Sequence, residues 1–294
     1  MGKTANKRLS WFKSSTSTRP YRIALIADPQ LVDENTYQRR GILLRLSQFY
    51  TDLYMKRNWL LIHKILHPKM TIFLGDLMDG GREWDDTAYF PRIVWCNGSW
   101  EKEYRRFRKV FRETTATPYI ASLPGNHDIG VSDTVSPIAF TRFKKHFGEP
   151  SSEFRAGDFT LILLDTVSLS AEYQRTISQQ PQIFLDSLRS PEPTEPRILL
   201  THIPLYRPEG TPCGPLRESK NSIRVGKGYQ YQNVLTPELS KRVVDIVRPL
   251  AVFSGDDHDY CYVQHNYAGM KIPEHTVKSF SWAMVLSSLE AGWL

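Results

Sequence analysis

The stretch LAVFSGDDHDYC, Leu250 to Cys261, ends an apolar run in Asp256, Asp257, His258 and Asp259. Three carboxylates and an imidazole cannot crowd a buried strand end without a positive partner, because each ionised group loses its hydration there. The same unit occurs four more times. RIALIADPQ closes on Asp28 and Gln30, and MTIFLGDLMDGG on Asp76 and Asp79. PYIASLPGNHD closes on Asn126, His127 and Asp128, and RILLTHIP carries His202. Taken singly, each cluster is weak. An Asp after a strand is most often a turn or cap residue, and a lone His202 is more often a semi-buried structural histidine than a ligand. The signal lies in the set. Oxygen and imidazole donors together suit Mn, Fe or Zn better than Ca.

Positioning these residues needs strands that end together. Short apolar runs closed by Gly or Pro read as buried strands, and FTLILLD (Phe159 to Asp165) adds one more, pairing with SSEFR. Helical patterns lie between them at Leu43 to Leu66, Ser99 to Thr115, Ser136 to Phe147 and Pro237 to Val247. Pro137 and Pro237 suit the first helical position, behind Ser136 and Thr236 as caps. Strand and helix alternate, so the class is α/β. In such sheets chemistry collects beyond the carboxyl ends of the strands, where all five clusters fall.

Of the formal net charge of +7, most is local. Lys3, Lys7, Arg8, Lys13, Arg19 and Arg22 lie in the first 22 residues with no acid among them. The remaining 32 basic residues (38 less those six) face 31 acidic ones. A basic tail on a near-neutral body argues against nucleic acid as a partner and suits a solvated segment or an anionic membrane face. Residues 1–20 read as a disordered tail. No apolar stretch has the length of a signal-peptide core or a membrane span, so the chain as given reads as soluble. Three cysteines, Cys96, Cys213 and Cys261, leave one disulfide plus a free thiol open. Asn97 to Ser99 is a lone glycosylation sequon. Two long loops stand out: the aromatic-rich Gly80 to Gly98 and the basic Tyr206 to Asn233. The first suits stacking on sugars or a local hydrophobic plug. The second suits contact with anionic lipid or phosphate, or simple solvation.

In order, GDLMDGG, GNHD, THIP and GDDHD resemble the calcineurin-like metallophosphoesterases from Tyr21 to about Ala283. The resemblance implies a β-sandwich flanked by helices in four layers, α/β/β/α, with a catalytic domain over 21–284 and a departing tail over 285–294. Gln30 and Asp256 stand where the family pattern has histidine. ADPQLVDENTY, HIPLYRPEGTPCGPLRES, GYQYQNVL and TVKSFSWAM are similar to the fungal Cdc-type and animal enzymes that remove ethanolamine phosphate from glycosylphosphatidylinositol (GPI) anchors.

Carried over by position, the resemblance implies two divalent metal ions, with Mn²⁺ favoured because oxygen replaces imidazole twice. Asp28 and His258 would bind the first, with Gln30 offering its carbonyl oxygen. Asp76 would bridge. Asn126, His202 and Asp256 would bind the second. His127 would protonate the leaving alkoxide and Asp128 would orient it. Asp79, Asp257 and Asp259 read as supporting or turn residues. The implied substrate is the glycan of GPI-anchored proteins. The implied location is the luminal side of the endoplasmic reticulum and Golgi membranes, with membrane association through segments absent from this chain. In a luminal domain Cys213 and Cys261 are candidates for a disulfide, leaving Cys96 over. A different phosphatase or phosphodiesterase substrate, or a binding module that keeps the fold without catalysis, are the competing readings.

Overall fold

A computed structural model describes residues 21–36, 40–84, 100–114, 118–189, 195–228, 230–267 and 269–283. The basic tail, most of the aromatic loop with Cys96 and the sequon, and the 285–294 tail lie outside the described residues.

Three parallel strands, β1 (Ile23–Ile26), β2 (Met70–Phe73) and β3 (Tyr119–Ile120), form one sheet. The second sheet contains β4 (Ser152–Ala156), β5 (Phe159–Leu163), β6 (Arg197–Leu200), β9 (Ala251–Ser254), β10 (Cys261–Tyr267) and β11 (Met270–Thr276), in the order β10-β11-β9-β6-β5-β4. Its centre, β11-β9-β6-β5, is parallel, and β4 and β10 flank it antiparallel. A short hairpin, β7 (Lys227–Gly228) with β8 (Tyr231–Gln232), stands apart.

The apolar runs alternate between two cores, as strand geometry requires. Ile72, Leu161, Leu163 and Leu200 meet between the sheets, joined by Ile23 and Leu25. Ile26, Phe73, Ile162 and Leu199 point outward into the helix layers. Over the first sheet lie α1 (Gly41–Leu66) and α2 (Trp100–Val110). Trp59 of α1 packs on Phe73 and Phe111, with ring centroids 6.1 and 5.6 Å apart. The arrangement is thus the four-layer α/β sandwich.

The remaining helices are the one-turn α3 (Asn126–Ile129), α4 (Pro137–Phe147), the short α5 (Thr166–Leu169), α6 (Arg175–Ser187) and α7 (Pro237–Val247). Ser136 and Thr236 cap α4 and α7 by accepting from Ala139 N–H and Leu239 N–H. Removing such a cap typically costs about 1 kcal/mol. The β10-β11 hairpin was passed over in the sequence reading. Its alternating burial in β10 places His265, a polar residue, on the inner face.

The basic loop is not a free cationic surface throughout. Arg207 is buried against Glu274 (2.7 Å), and Arg217 pairs with Asp257. Cys213 and Cys261 are joined as a disulfide across the base of this loop.

Candidate metal centre

Five strand ends converge. Asp28 follows β1, Asp76 follows β2, Asn126 opens α3 after β3, His202 follows β6, and Asp256 and His258 follow β9. Backbone bonds lock these loops to one another: Gln30 N–H donates to Asp76 O (2.8 Å) and Gly255 N–H to His202 O (2.9 Å). Five of the nine positive-φ non-glycine residues among the described ones are Asp28, Gln30, Asp76, Asp256 and His258. Left-handed backbone at such residues is costly, and its concentration here marks a site for which the fold holds strain.

The glycines explain the motifs. A Cβ on Gly75 would come within 2.6 Å of His202 Nδ1, and one on Gly125 within 2.0 Å of Asp76 Oδ1. The G-D and G-N-H-D spellings therefore follow from how closely the five loops approach.

His202 is the centre of the cluster and fully buried. Its Nδ1 lies 2.8 Å from Leu74 O, which assigns the Nδ1 proton and leaves Nε2 to hold a proton or a metal ion. Around Nε2 stand Asn126 Oδ1 at 3.1 Å, Asp76 Oδ1 at 3.5 Å and Asp256 Oδ1 at 3.5 Å. Three oxygens facing this nitrogen need a positive group between them, a proton on Nε2 or a metal ion in its place. Donor atoms of Asp28, Asp76 and His202 lie within 4.8 Å of one another.

Electrostatics tell the same story. Burial pushes the Asp28 carboxyl well above the usual carboxylate range, and Asp76 and Asp256 add to it against the pull of His202. Burial would lower His202, but Asp76 and Asp256 lift it well above the ordinary imidazole value. His258 stays outside the tight trio. Burial holds it below the ordinary imidazole value against the opposing pull of Asp76 and Asp256, which favours the neutral form that binds metal.

Gln30 is fully buried. Its Nε2 donates to Asp76 Oδ2 (2.8 Å), while Oε1 has no hydrogen-bond partner among the described residues. A buried acceptor left so is costly and calls for a ligand. This orphan oxygen, the oxygen-ringed Nε2 of His202 and the acid-rich donor set all fit divalent cations.

The two catalytic expectations separate. His127 Nδ1 is held by Asp79, 2.7 Å from its carbonyl and 3.1 Å from Oδ1, leaving Nε2 for other chemistry. Burial would lower His127, but Asp76 and Asp79 raise it to about 9. Asp128 does not fill the orienting role expected of it. Its carboxylate accepts from Leu77, Met78 and Gly125 N–H (2.9–3.2 Å) and clamps the loops after β2 and β3 together. The reason is local geometry: as neighbours at the start of one helical turn, Asp128 and His127 point apart. Asp79 is the residue the sequence reading undervalued. Its D-x-x-D spacing after β2 was the available signal.

Supporting contacts complete the ring. Asn126 Nδ2 donates to Gln230 O (3.3 Å) in the β7–β8 turn. Asp259 accepts from Glu218 and Ser219 N–H, and Asp257 turns away to Arg217. Asp256 N–H donates to Asp28 Oδ2 (3.1 Å), tying the two sheets' ligands together.

Fold and site together define a metal-dependent phosphoesterase. The family model described as calcineurin-like phosphoesterase matches residues 21–260, and the chain belongs to that family. It is 40% identical over 284 residues to Cell division control protein 1 of Saccharomyces cerevisiae, covering 95% of this chain and 56% of that protein. With the Metallophosphoesterase 1 homolog of Caenorhabditis elegans it shares 29% identity over 262 residues, covering 88% of this chain and 66% of that protein. The chain thus spans about half to two thirds of these relatives. Among solved structures, a dimetal phosphatase from Danio rerio is similar at 13% identity and a TM-score of 0.48, over 89% of this chain and 88% of that one.

Proposed function

We propose that the strand-end cluster holds two divalent ions, Mn²⁺ being favoured, and hydrolyses a phosphodiester to release ethanolamine phosphate from a mannose of GPI-anchor glycans. The observation that carries the metal reading is the ring of three oxygens around His202 Nε2, with Gln30 Oε1 lacking a partner. Asp28, Gln30 and His258 would hold one ion and Asn126, His202 and Asp256 the other, with Asp76 shared. When bound, the ions supply charge stabilisation for the phosphoryl oxygens and lower the pKa of the attacking water.

The protein's own part is positional. Asp79 fixes the His127 ring through Nδ1, so Nε2 presents the proton to the departing alkoxide. In the metal-free chain burial would lower this ring, but Asp76 and Asp79 raise it to about 9, the direction a general acid needs. Asp128 sets the distance between the Asp76 and Asn126 loops.

The substrate rests on the resemblance of ADPQLVDENTY, HIPLYRPEGTPCGPLRES, GYQYQNVL and TVKSFSWAM to the enzymes that act on GPI anchors. A luminal site in the endoplasmic reticulum or Golgi, with membrane attachment through segments outside this chain, agrees with the Cys213–Cys261 disulfide, since such bonds persist in oxidising compartments. Mass spectrometry of anchor glycans from cells with and without the gene tests the substrate: ethanolamine phosphate should be retained without it. Unchanged glycans, with intact hydrolysis of a synthetic phosphodiester, would leave the chemistry standing and remove the substrate.

A further inference from the structure

The 26-residue helix α1 does not bury the apolar face that its sequence suggests. Thr51, Met55 and Trp59, spaced four apart, make one narrow buried stripe. On the opposite side Leu46, Phe49, Tyr50, Leu53 and Leu60 recur at helical spacing and are 47–59% exposed. Ile65 extends the face at 65% exposure. A helix of this length runs about 39 Å, so the apolar face is long as well as wide. Contiguous exposed apolar surface of this kind marks an interaction site.

Charge identifies the partner. Arg45, Lys56, Arg57 and Lys64 are exposed along the same helix. Arg57 and Lys64 fall three and five turns beyond Leu46, within the apolar face itself. The helix has a single acid, Asp52, and Arg106 of α2 occupies it at 2.5 Å. No uncompensated negative charge therefore stands on α1. At its C-terminal end Arg22 donates to Leu66 O (3.0 Å), and five more basic residues precede Arg22 without an acid. Trp282 lies beside Tyr54, with ring centroids 6.4 Å apart, and both are partly exposed. Apolar side chains mixed with long cations and fringed by Tyr and Trp suit the headgroup boundary of a bilayer. No helix among the described residues is long and apolar enough to cross a membrane.

We propose that the exposed face of α1 lies on an anionic lipid surface, parallel to the membrane, and docks the catalytic domain there independently of any spanning segment. The Leu and Phe side chains enter the acyl boundary, and the cations reach the headgroups.

The test is sedimentation of the 294-residue chain with phosphatidylcholine vesicles, with and without phosphatidylserine. Binding should need phosphatidylserine and weaken with salt. The triple variant Leu46→Glu/Leu53→Glu/Leu60→Glu should lose at least about tenfold in partitioning. Lys56→Glu/Lys64→Glu should lose roughly fivefold or more per reversed charge. Both variants should keep the wild-type melting temperature and the wild-type hydrolysis of bis(p-nitrophenyl) phosphate. The proposal is overturned if the wild type ignores anionic vesicles, or if both variants bind them undiminished. It is equally overturned if the leucine variant instead abolishes a concentration-dependent dimer and no vesicle binding is seen, which would assign the face to a second copy.

Discussion

Two buried charge clusters lie at opposite ends of the same design choice. Around Glu274, charge is balanced: Arg207 donates to Oε2 (2.7 Å), His265 Nε2 lies 2.6 Å from it, and Leu205 N–H and Ser254 Oγ donate to Oε1. Burial would raise Glu274, but Arg207 and His265 hold it below its ordinary value. At the strand ends, Asp28, Asp76 and Asp256 meet one central imidazole, and Asp28 is driven upward instead. A cluster that neutralises itself holds loops together. One that cannot is built for something that arrives from outside.

The largest effect expected concerns the site's own chemistry. His127→Ala should lower kcat for a phosphodiester by about 10²–10⁴-fold with metal content unchanged. Asp79→Asn should cost less, about tenfold. Its alkaline limb should move to lower pH, because Asp79 raises the His127 pKa and its charge is lost in the variant. A kcat–pH profile reads both. An Asp79→Asn profile identical to wild type would return Asp79 to a turn residue.

Next in size is the balanced cluster. Glu274→Ala leaves Arg207 buried without a counter-charge and should destabilise the protein by about 3–5 kcal/mol in urea unfolding. Asp28→Asn in metal-free protein should do the reverse, adding about 1 kcal/mol, because it removes a charge the fold does not compensate, and the same variant should abolish the activity of metal-loaded protein. Two substitutions of buried acids with opposite signs on stability would sharpen the contrast. The same sign would erase it.

The smallest effect is in the acid limb of metal-free stability. Glu274, lowered from 4.5, gives stability that is present above 4.5 and lost as pH falls through its folded value. Asp28, raised from 3.8, works oppositely: its contribution is full below 3.8 and is lost as pH rises through its folded value. Thermal unfolding of Glu274→Gln and Asp28→Asn across this range should flatten opposite slopes.

Much of this was legible in the sequence. Short apolar runs closed by Gly or Pro and followed by polar residues marked the five strand ends, because burial and turn chemistry act locally. The caps Ser136 and Thr236 were readable for the same reason. The role of Asp79 was not, because which carboxylate reaches His127 depends on how the loops after β2 and β3 cross. Arg207 and Arg217 read as surface charge for a similar reason: Glu274 and Asp257 are distant in sequence and meet them only in the folded chain. The exposed face of α1 was hidden by its own pattern, since an amphipathic period says that one face is apolar but not what covers it.

The central claim is that the strand-end cluster is completed by cations. Metal-free protein titrated with Mn²⁺, with bound metal counted by mass spectrometry and melting followed in parallel, tests it directly. The account predicts two ions per chain and a melting temperature that rises with Mn²⁺, both lost in Asp76→Ala. Protein that binds no ion, or whose melting temperature is indifferent to Mn²⁺, would contradict it.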